Sequence, residues 1–257
     1  MEAVDFKVVL KQVAALAGID QDAIPNSFFI QVRDFADLRV SHAWDRAEWP
    51  EAIRYDSPTV STSGNINKFT YPTGADVILN VFSDDPRTST TIKSYSYTLT
   101  DTGSAREVIL PEADTSVTVE YKESPPAFIG DVHLTASKTY AAGEQAYYNG
   151  NFYSANSGVG TCGAGGHSTE SACTGAGETW TPGPTGAWSA AEWTLVKVPK
   201  FLQGYLVRSC YSDYMRSNGQ TQEAAIEDNI AEGLLFREVE KLTRQQGQTR
   251  RVEMGVY

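Results

Sequence analysis

A long helical pattern near the end of the chain constrains the fold more than any other stretch. Residues 221–246 place apolar side chains at three- and four-residue spacings, the pattern of an amphipathic helix. The members of this apolar stripe are Ala224, Ile226, Ile230, Leu234, Leu235, Val239 and Leu242. At 1.5 Å per residue the helix would extend roughly 39 Å. A stripe of that length needs a partner surface, and we expect it to be partly the preceding helix and partly a neighbouring subunit.

Three shorter helices are predicted to accompany it. One precedes it and ends at the Asn218-Gly219 turn, since both residues tolerate the left-handed backbone that ends a helix. Two more open the chain. The first runs from Phe6 to Ala17 and stops at Gly18, and the second begins near Asn26. We expect the second to end near Trp49, because Pro50 disfavours helical geometry in the residue before it. The chain therefore begins and ends with a helical pair.

Between the helical pairs the pattern changes to the period of two that strands show. Strands are predicted at 76–83, 92–99, 106–110 and 116–121, the even spacing of an antiparallel meander or sandwich. Further on, two short aromatic strands flank an Asn149-Gly150 hairpin turn. The sequence thus predicts an α+β fold in which the terminal helical pairs pack as a bundle around inserted β sections. Its four sections are the N-terminal helices (1–54), an antiparallel β domain (55–130), a small Gly- and aromatic-rich β module (131–196), and the C-terminal helices with a basic tail (197–257).

The charge of the chain narrows the classes of partner. A formal net charge of −11 disfavours adhesion to phosphate backbones and to anionic membranes. The same charge suits a channel through which DNA slides, because a wall that repels phosphate does not hold it. No apolar run approaches the roughly 20 residues of a membrane span, and Met1 leads into Glu2 and Asp5 instead of a signal peptide. We expect synthesis in a cytoplasm and no membrane partner.

Catalytic motifs are missing from the sequence. His42, His133 and His167 are far apart, and no nucleophile motif, phosphate-binding loop or metalloprotease motif occurs. Two charged groups invite a catalytic or ligand-binding interpretation: the helix-end carboxylates Asp45, Glu48 and Glu51, and the turn residues Asp84, Asp85 and Arg87. Solvated helix ends and exposed turns explain both groups without a ligand. We therefore predict no enzymatic activity, no cofactor and no metal.

The three cysteines do not form a framework of paired bridges. Cys162 and Cys173 lie in a Gly-rich stretch with His167 between them, and a structural zinc site would need a fourth ligand that is not nearby. A disulfide between Cys162 and Cys173 is one interpretation, formed after release from a reducing cell. Two free thiols and a metal site are the alternatives. Cys210 falls on the apolar side of a helix and is predicted to be a core residue.

Aromatic residues of the 131–196 module resemble those of the small chitin- and cellulose-binding modules. The residues that carry the resemblance are Tyr147, Tyr153, Trp188 and Trp193. It implies that these rings stack on sugar, with weak glycan binding as the outcome. Two departures stand out: Val132 or Leu134 occupies the place of an expected Trp, and a Gly-rich insertion precedes Trp188. The alternative is that these aromatics are the minimal core of a very small domain.

Several short motifs are spread over nearly the whole chain. They are AWDRAEWP (43–50), DDPR (84–87), PP (125–126), YLVR (205–208), YSDYMRSNGQ (211–220) and RQQGQ (244–248). Together they resemble a family of tailed-bacteriophage structural proteins. The resemblance implies a virion protein of the neck or head-to-tail adaptor type. Such a protein would form a homo-oligomeric ring of about twelve copies below the portal. Its partners would be the portal and other neck or tail proteins, with DNA passing through unbound.

The end of the chain has no periodic pattern of its own. We expect Arg250, Arg251, Val256 and Tyr257 to dock on a neighbouring protein of the particle.

The alternative function is a decoration or adhesion protein of the virion surface that holds host polysaccharide through the 131–196 module.

Overall fold

The computed structural model describes residues 2–63, 66–90, 92–103, 105–111, 116–130, 133–134, 140–156, 161–162, 180–181 and 190–253. Side chains are described for these residues except 63, 161–162, 180–181 and 246–253. The chain divides into two compact units. One comprises Met1–Arg46 and Pro126–Tyr257, and the other is Ala47–Pro125. The fold is α+β, with antiparallel pairing in every described sheet.

The first unit contains the four α-helices of the described residues. They are α1 (Phe6–Leu16), α2 (Asn26–Asp45), α3 (Gln203–Ser217) and α4 (Thr221–Glu253). All four were predicted, but two end elsewhere. Helix α2 stops at Asp45, because the chain leaves the helix at Arg46 to bring Trp49 into an extended conformation before Pro50. Helix α4 continues through Gly247, since glycine weakens a helix without breaking it.

Helix α3 is the central helix of this unit, because it packs against α1, α2 and α4. Its buried side of Tyr205, Leu206, Ser209, Cys210 and Ser212 faces its neighbours. Side chains from both chain ends complete the core, namely Val9, Val13, Val32, Ala36, Val40, Ala224, Ala231 and Leu235. Cys210 is fully buried, as predicted, and burial raises the pKa of its thiol.

Two small sheets belong to the first unit as well. Strands β8 (Gln145–Tyr148), β9 (Asn151–Ala155) and β12 (Trp193–Leu195) pair in the order β12-β9-β8, and β10 (Thr161–Cys162) pairs with β11 (Trp180–Thr181). The predicted Asn149-Gly150 hairpin is confirmed. Both turn residues have positive φ, 45° and 102°, as a two-residue turn between twisted strands requires.

The hairpin turn docks on the start of α1. The first backbone N–H groups of a helix have no partner inside it. Here Lys7 N donates to Gly150 O at 2.8 Å and Phe6 N donates to the Asn151 side chain at 3.1 Å. The Asp5 side chain also accepts from Lys7 N. Residues 131–196, predicted as a section of their own, thus contribute their described strands to the same compact unit as the helices.

The second unit consists of two antiparallel sheets. The strands β1 (Ile53–Asp56), β4 (Ala75–Phe82) and β7 (Thr118–Glu123) form a sheet of order β1-β7-β4. The strands β2 (Ser61–Ser63), β3 (Ile66–Thr70), β5 (Thr98–Asp101) and β6 (Arg106–Leu110) form the other, in the order β2-β3-β6-β5. One core joins them, since Phe69 and Val108 of one sheet cluster with Ile78 and Val119 of the other.

One predicted strand is largely wrong. In place of a strand over 92–99, the structure has a bridge between Ser94 and Phe82 and a strand that begins only at Thr98. The alternation in the sequence has another cause. Tyr95 is buried in the core and the Tyr97 hydroxyl donates to Ile78 O at 2.7 Å. These side chains, together with backbone hydrogen bonds from Tyr95 N to Val81 O and from Ser83 N to Lys93 O, each 2.8 Å, hold the segment along β4. None of the described helices is both long enough and apolar enough to cross a bilayer.

Candidate functional site

The helices of the first unit are held in register by a cluster of four charged side chains. Arg39 of α2 donates two hydrogen bonds to Asp213 of α3, each 2.7 Å, and its Nη2 lies 2.8 Å from Asp228 Oδ1 of α4. Arg216 bridges the same two carboxylates at 3.0 and 2.6 Å. The Arg39 and Asp213 side chains are only 11% and 13% exposed. Breaking such a pair leaves a charge in a poorly solvated place, so the cluster fixes how α2, α3 and α4 meet.

The surroundings of Arg39 and Asp228 favour the charged form of each side chain. The hydrogen bonds from Arg39 to Asp213 raise the pKa of the guanidinium further above its ordinary value. Burial acts to raise the pKa of Asp228 and is the largest single influence on it. The hydrogen bond and charge of Arg216, with the charge of Arg39, together outweigh burial, so that the pKa of Asp228 is lowered. The Asp228 carboxylate is therefore charged in neutral solution.

A groove opens on the outside of this scaffold, where α1, α3 and α4 meet. It has a volume of about 480 Å³ and is lined mainly by apolar groups: Gln12, Ala15, Leu16, Gly204, Val207, Arg208 and Leu234. Gly204 lies in the wall of the groove and adds no side chain to it. A Cβ placed there would lie 3.6 Å from Leu234 Cδ1. A concave, mainly apolar surface of this size is typical of a binding site for an apolar group.

Helix α4 exposes large apolar side chains on more than one side. The predicted stripe divides: Ala224, Leu235 and Leu242 are buried, whereas Ile226 and Ile230 are 62% and 44% exposed. Ile230 lies one turn before Leu234, on the side of the groove. Phe236, outside the predicted stripe, is 64% exposed. It lines a smaller notch of about 180 Å³, together with Arg46, Glu232, Leu235 and Val239. Clustered exposed apolar groups mark interaction surfaces.

Two of the predicted sugar-stacking residues are engaged inside the protein. Trp193 is 4% exposed and packs edge-on against Tyr140, with ring centroids 5.0 Å apart. Tyr147 packs against Phe29 at 4.8 Å and Phe152 at 5.4 Å, and burial, with a smaller effect of the Asp5 charge, raises the pKa of its hydroxyl to about 12. Trp193 is thus buried, and the half-buried Tyr147 ring contacts other rings. Their described contacts are those of core aromatics.

Most of the other predicted site residues lie wholly or partly outside the described part of the chain. Tyr153 is half-buried against the cluster of Tyr140 and Trp193. Cys162 belongs to β10, but its side chain lies outside the described residues, as do Cys173, His167 and Trp188. Arg250 and Arg251 belong to the last turns of α4, and their side chains also lie outside the described part, together with Val256 and Tyr257. The proposed disulfide and the docking tail stay predictions.

The charged side chains Asp85 and Arg87, in the turn after β4, pair with each other. Arg87 donates to both carboxylate oxygens of Asp85, at 2.6 to 3.2 Å, and lies over the Tyr55 ring at 4.6 Å. The hydrogen bond from the Arg87 side chain lowers the pKa of Asp85 to about 2. These contacts account for the turn without a ligand. Within the described residues, no group of three or more His, Cys, Asp and Glu side chains could hold a metal ion.

Sequence reasoning missed the two features that organise this region. The Arg39 cluster joins residues 174 positions apart, and no local signal predicts such a pairing. The groove was missed because its wall combines an exposed part of α1 with the first turn of α3. The weak signal for the groove was the excess of apolar residues on α4 over what one partner helix can cover. Comparison with protein-family models gave no match, and no curated protein sequence is significantly similar to the chain.

Proposed function

We propose that the protein is a structural component of a tailed-bacteriophage virion, a neck or head-to-tail adaptor that forms a homo-oligomeric ring. The observation that carries the proposal is helix α4, which exposes Ile226 and Ile230 on one side and Phe236 on another. A chain that leaves this much apolar surface on its longest helix is suited to helix packing between subunits. The motifs that resemble tailed-phage structural proteins supply the kind of assembly.

The finer architecture in this proposal is a bundle of α1 to α4 that builds the ring. The two sheets of Ala47–Pro125 would be a sandwich, and the strands around the Asn149-Gly150 hairpin a small aromatic module. Contacts of α3 with helices from both chain ends support the bundle. The core shared by both sheets supports the sandwich.

DNA would pass through the ring without specific binding. The net charge of −11 supports this role, because an acidic wall repels phosphate and does not retain the duplex. The ring would contact the portal and other neck or tail proteins, and the protein would reside in the virion. We propose no catalytic role, and no cofactor.

The polysaccharide-binding alternative finds less support. It would need exposed aromatic faces, and among the described candidates Trp193 is buried and Tyr147 is packed between other rings. Tyr153 and Trp188 would have to provide the sugar platform on their own.

Electron microscopy of the intact particle tests the proposal. The expected result is a ring of about twelve copies at the neck, below the portal, with helices around the channel. Copies spread over the capsid surface, or on fibres, would contradict the adaptor role. Retention of the protein on polysaccharide columns, lost in Tyr153→Ala, would then favour the adhesion role.

A further inference from the structure

The two apolar surfaces of α4 point in opposite directions. Leu234 lines the groove and Phe236 lines the notch, and two residues on an α-helix are separated by about 200° of rotation. A surface that meets itself across a two-fold axis uses one patch on both partners. Two patches on opposite sides of one helix instead suit a head-to-tail contact, which closes into a ring or continues as a filament.

The shapes of the two surfaces are complementary. The groove is concave and has about 480 Å³ of space, and the absence of a side chain at Gly204 contributes to its depth. Phe236 is a convex apolar group, 64% exposed, on the opposite side. Aromatic side chains are enriched at protein interfaces, and the residues that contribute most to binding sit in well-packed pockets.

Charged groups of both signs flank the two surfaces. Arg208 lines the groove, and Lys11 and Arg237 lie within one turn of the lining residues Ala15 and Leu234. Glu238, one turn after Leu234, pairs with Lys241. Glu232 and Glu240 lie one turn before and after Phe236, and Arg46 lines the notch beside it. Several of these groups already have partners in their own chain: Lys11 with Asp22, Arg208 with Glu227, Glu232 with Arg46, and Glu240 with Arg244 at 3.7 Å.

Arg237 is the exception among these cations, since it makes no ion pair within the described part of the chain. The pair between Glu240 and Arg244 is long and exposed, so it is weak. The groove side therefore retains a free positive charge, and the Phe236 side retains a loosely held negative one. Such an arrangement favours the approach of the groove of one copy to the Phe236 side of another.

We propose that Phe236 of one copy inserts into the groove between α1, α3 and α4 of the next copy. The contact repeats head to tail around the assembly, with the Phe236 side of each copy in the groove of its neighbour. This inference deepens the ring proposal and rests on it for closure into a ring. The occupant of the groove is thus a second copy of this chain.

Cross-linking between two separately purified variants tests the contact. One carries Gln12→Cys at the groove, and the other carries Gly233→Cys, one turn from Phe236, where a Cβ meets no atom within 4 Å. Both carry Cys162→Ser and Cys173→Ser. They are mixed at about 1 mM, where even weak contacts are populated. A head-to-tail contact gives an oxidised dimer in the mixture and none in either variant alone.

A matched pair of substitutions identifies the anchor. Phe236→Ala in the Gly233→Cys protein is expected to lower the cross-linked yield about tenfold. Leu38→Ala is the control, because Leu38 is exposed to the same extent, 65%, on a different helix. Gly204→Leu in the Gln12→Cys protein fills the groove without removing an apolar group, and it is expected to lower the yield as Phe236→Ala does.

The outcomes separate this contact from the ring itself. No cross-link in the mixture, equal cross-linking of a single variant with itself, or a yield that Phe236→Ala leaves unchanged overturns the contact. A ring at the neck together with any of those results leaves the adaptor role intact and places the subunit interface elsewhere. A mixture-specific cross-link in a protein absent from the neck would overturn the adaptor role and keep the contact.

Discussion

At the scale of single residues, Arg39 is the side chain on which three helices converge. It joins α2 to Asp213 of α3 and to Asp228 of α4. Buried ion pairs contribute little net free energy when compared with well-packed apolar groups, because both charges lose their hydration. Their effect is directional, since only one alignment of the three helices satisfies all the charges. The cluster therefore determines which sides of α4 remain free for other partners.

Removal of the Arg39 charge is expected to destabilise the helical unit strongly. Arg39→Met keeps a long apolar stem but leaves Asp213 and Asp228 with Arg216 as their only shared cation, at a cost of about 3 kcal/mol. Urea unfolding followed by circular dichroism measures the change. Arg46→Met, at the residue directly after the same helix, is the matched control. Its pair with Glu232 is 52% and 33% exposed, and we expect a loss below about 1 kcal/mol. Equal losses in both variants would contradict a special role for Arg39.

The same cluster is expected to make stability depend on pH in acid. The pKa of Asp228 is lower in the folded protein than its ordinary value of 3.8, so the unfolded state takes up the proton first. The stabilisation is fully present above pH 3.8 and is lost as the pH falls through the lower, folded value. Asp228→Asn should remove part of this slope. Thermal unfolding of both proteins between pH 2 and pH 6, with about ten points, measures it. A parallel dependence in the two proteins would contradict the assignment.

At the scale of elements, glycines mark places where backbone and side chains approach closely. A Cβ at Gly204 would make an ordinary contact with Leu234, whereas a Cβ at Gly130 would lie 2.6 Å from the backbone carbon of Gln145. The two positions differ in helical context as well, because only Gly204 lies in a helix. Substitution by alanine should therefore have opposite effects at the two positions.

Gly204→Ala is expected to stabilise the protein by up to about 1 kcal/mol, since alanine loses less backbone entropy on entering a helix. Gly130→Ala is the contrasting variant and should cost about 1–3 kcal/mol, because the backbone around Gln145 has to move. Chemical denaturation of both proteins measures the two changes. A destabilising Gly204→Ala would show that the groove wall does not accept even a methyl group.

Local patterns predicted the four helices and the strands β4, β6, β7, β8 and β9, because each depends on neighbours along the chain. The Asn149-Gly150 turn and the end of α3 at Asn218-Gly219 follow from backbone preferences of those residues alone. Interactions between distant segments were not predictable in this way. The alternation around Tyr95 fits a full strand equally well, and only the folded structure shows that pairing with β4 is limited to a single bridge. Ile226 and Leu235 both fit the apolar stripe, and tertiary packing decides which of them is buried.

At the scale of the whole molecule, α4 extends well past the part of it that packs in the core. Its last buried residue in the described structure is Leu242, and the helix continues to Glu253. Eleven further residues of helix, at 1.5 Å each, reach about 16 Å beyond that point. We expect such an extension to add little to the stability of its own chain and to contact another protein.

Deletion of residues 250–257 is therefore expected to leave the stability of the protein nearly unchanged and to impair its assembly into particles. The melting temperature should change by less than about 2 °C, because the deleted segment follows the last described core residue. Incorporation into particles should fall severalfold, measured as the ratio of this protein to the portal protein in purified virions. Two paired substitutions then divide the effect: Arg250→Glu with Arg251→Glu tests charge, and Val256→Ser with Tyr257→Ser tests apolar contact. Normal incorporation of the truncated chain would contradict the docking role, and a large drop in melting temperature would show that the segment belongs to the fold.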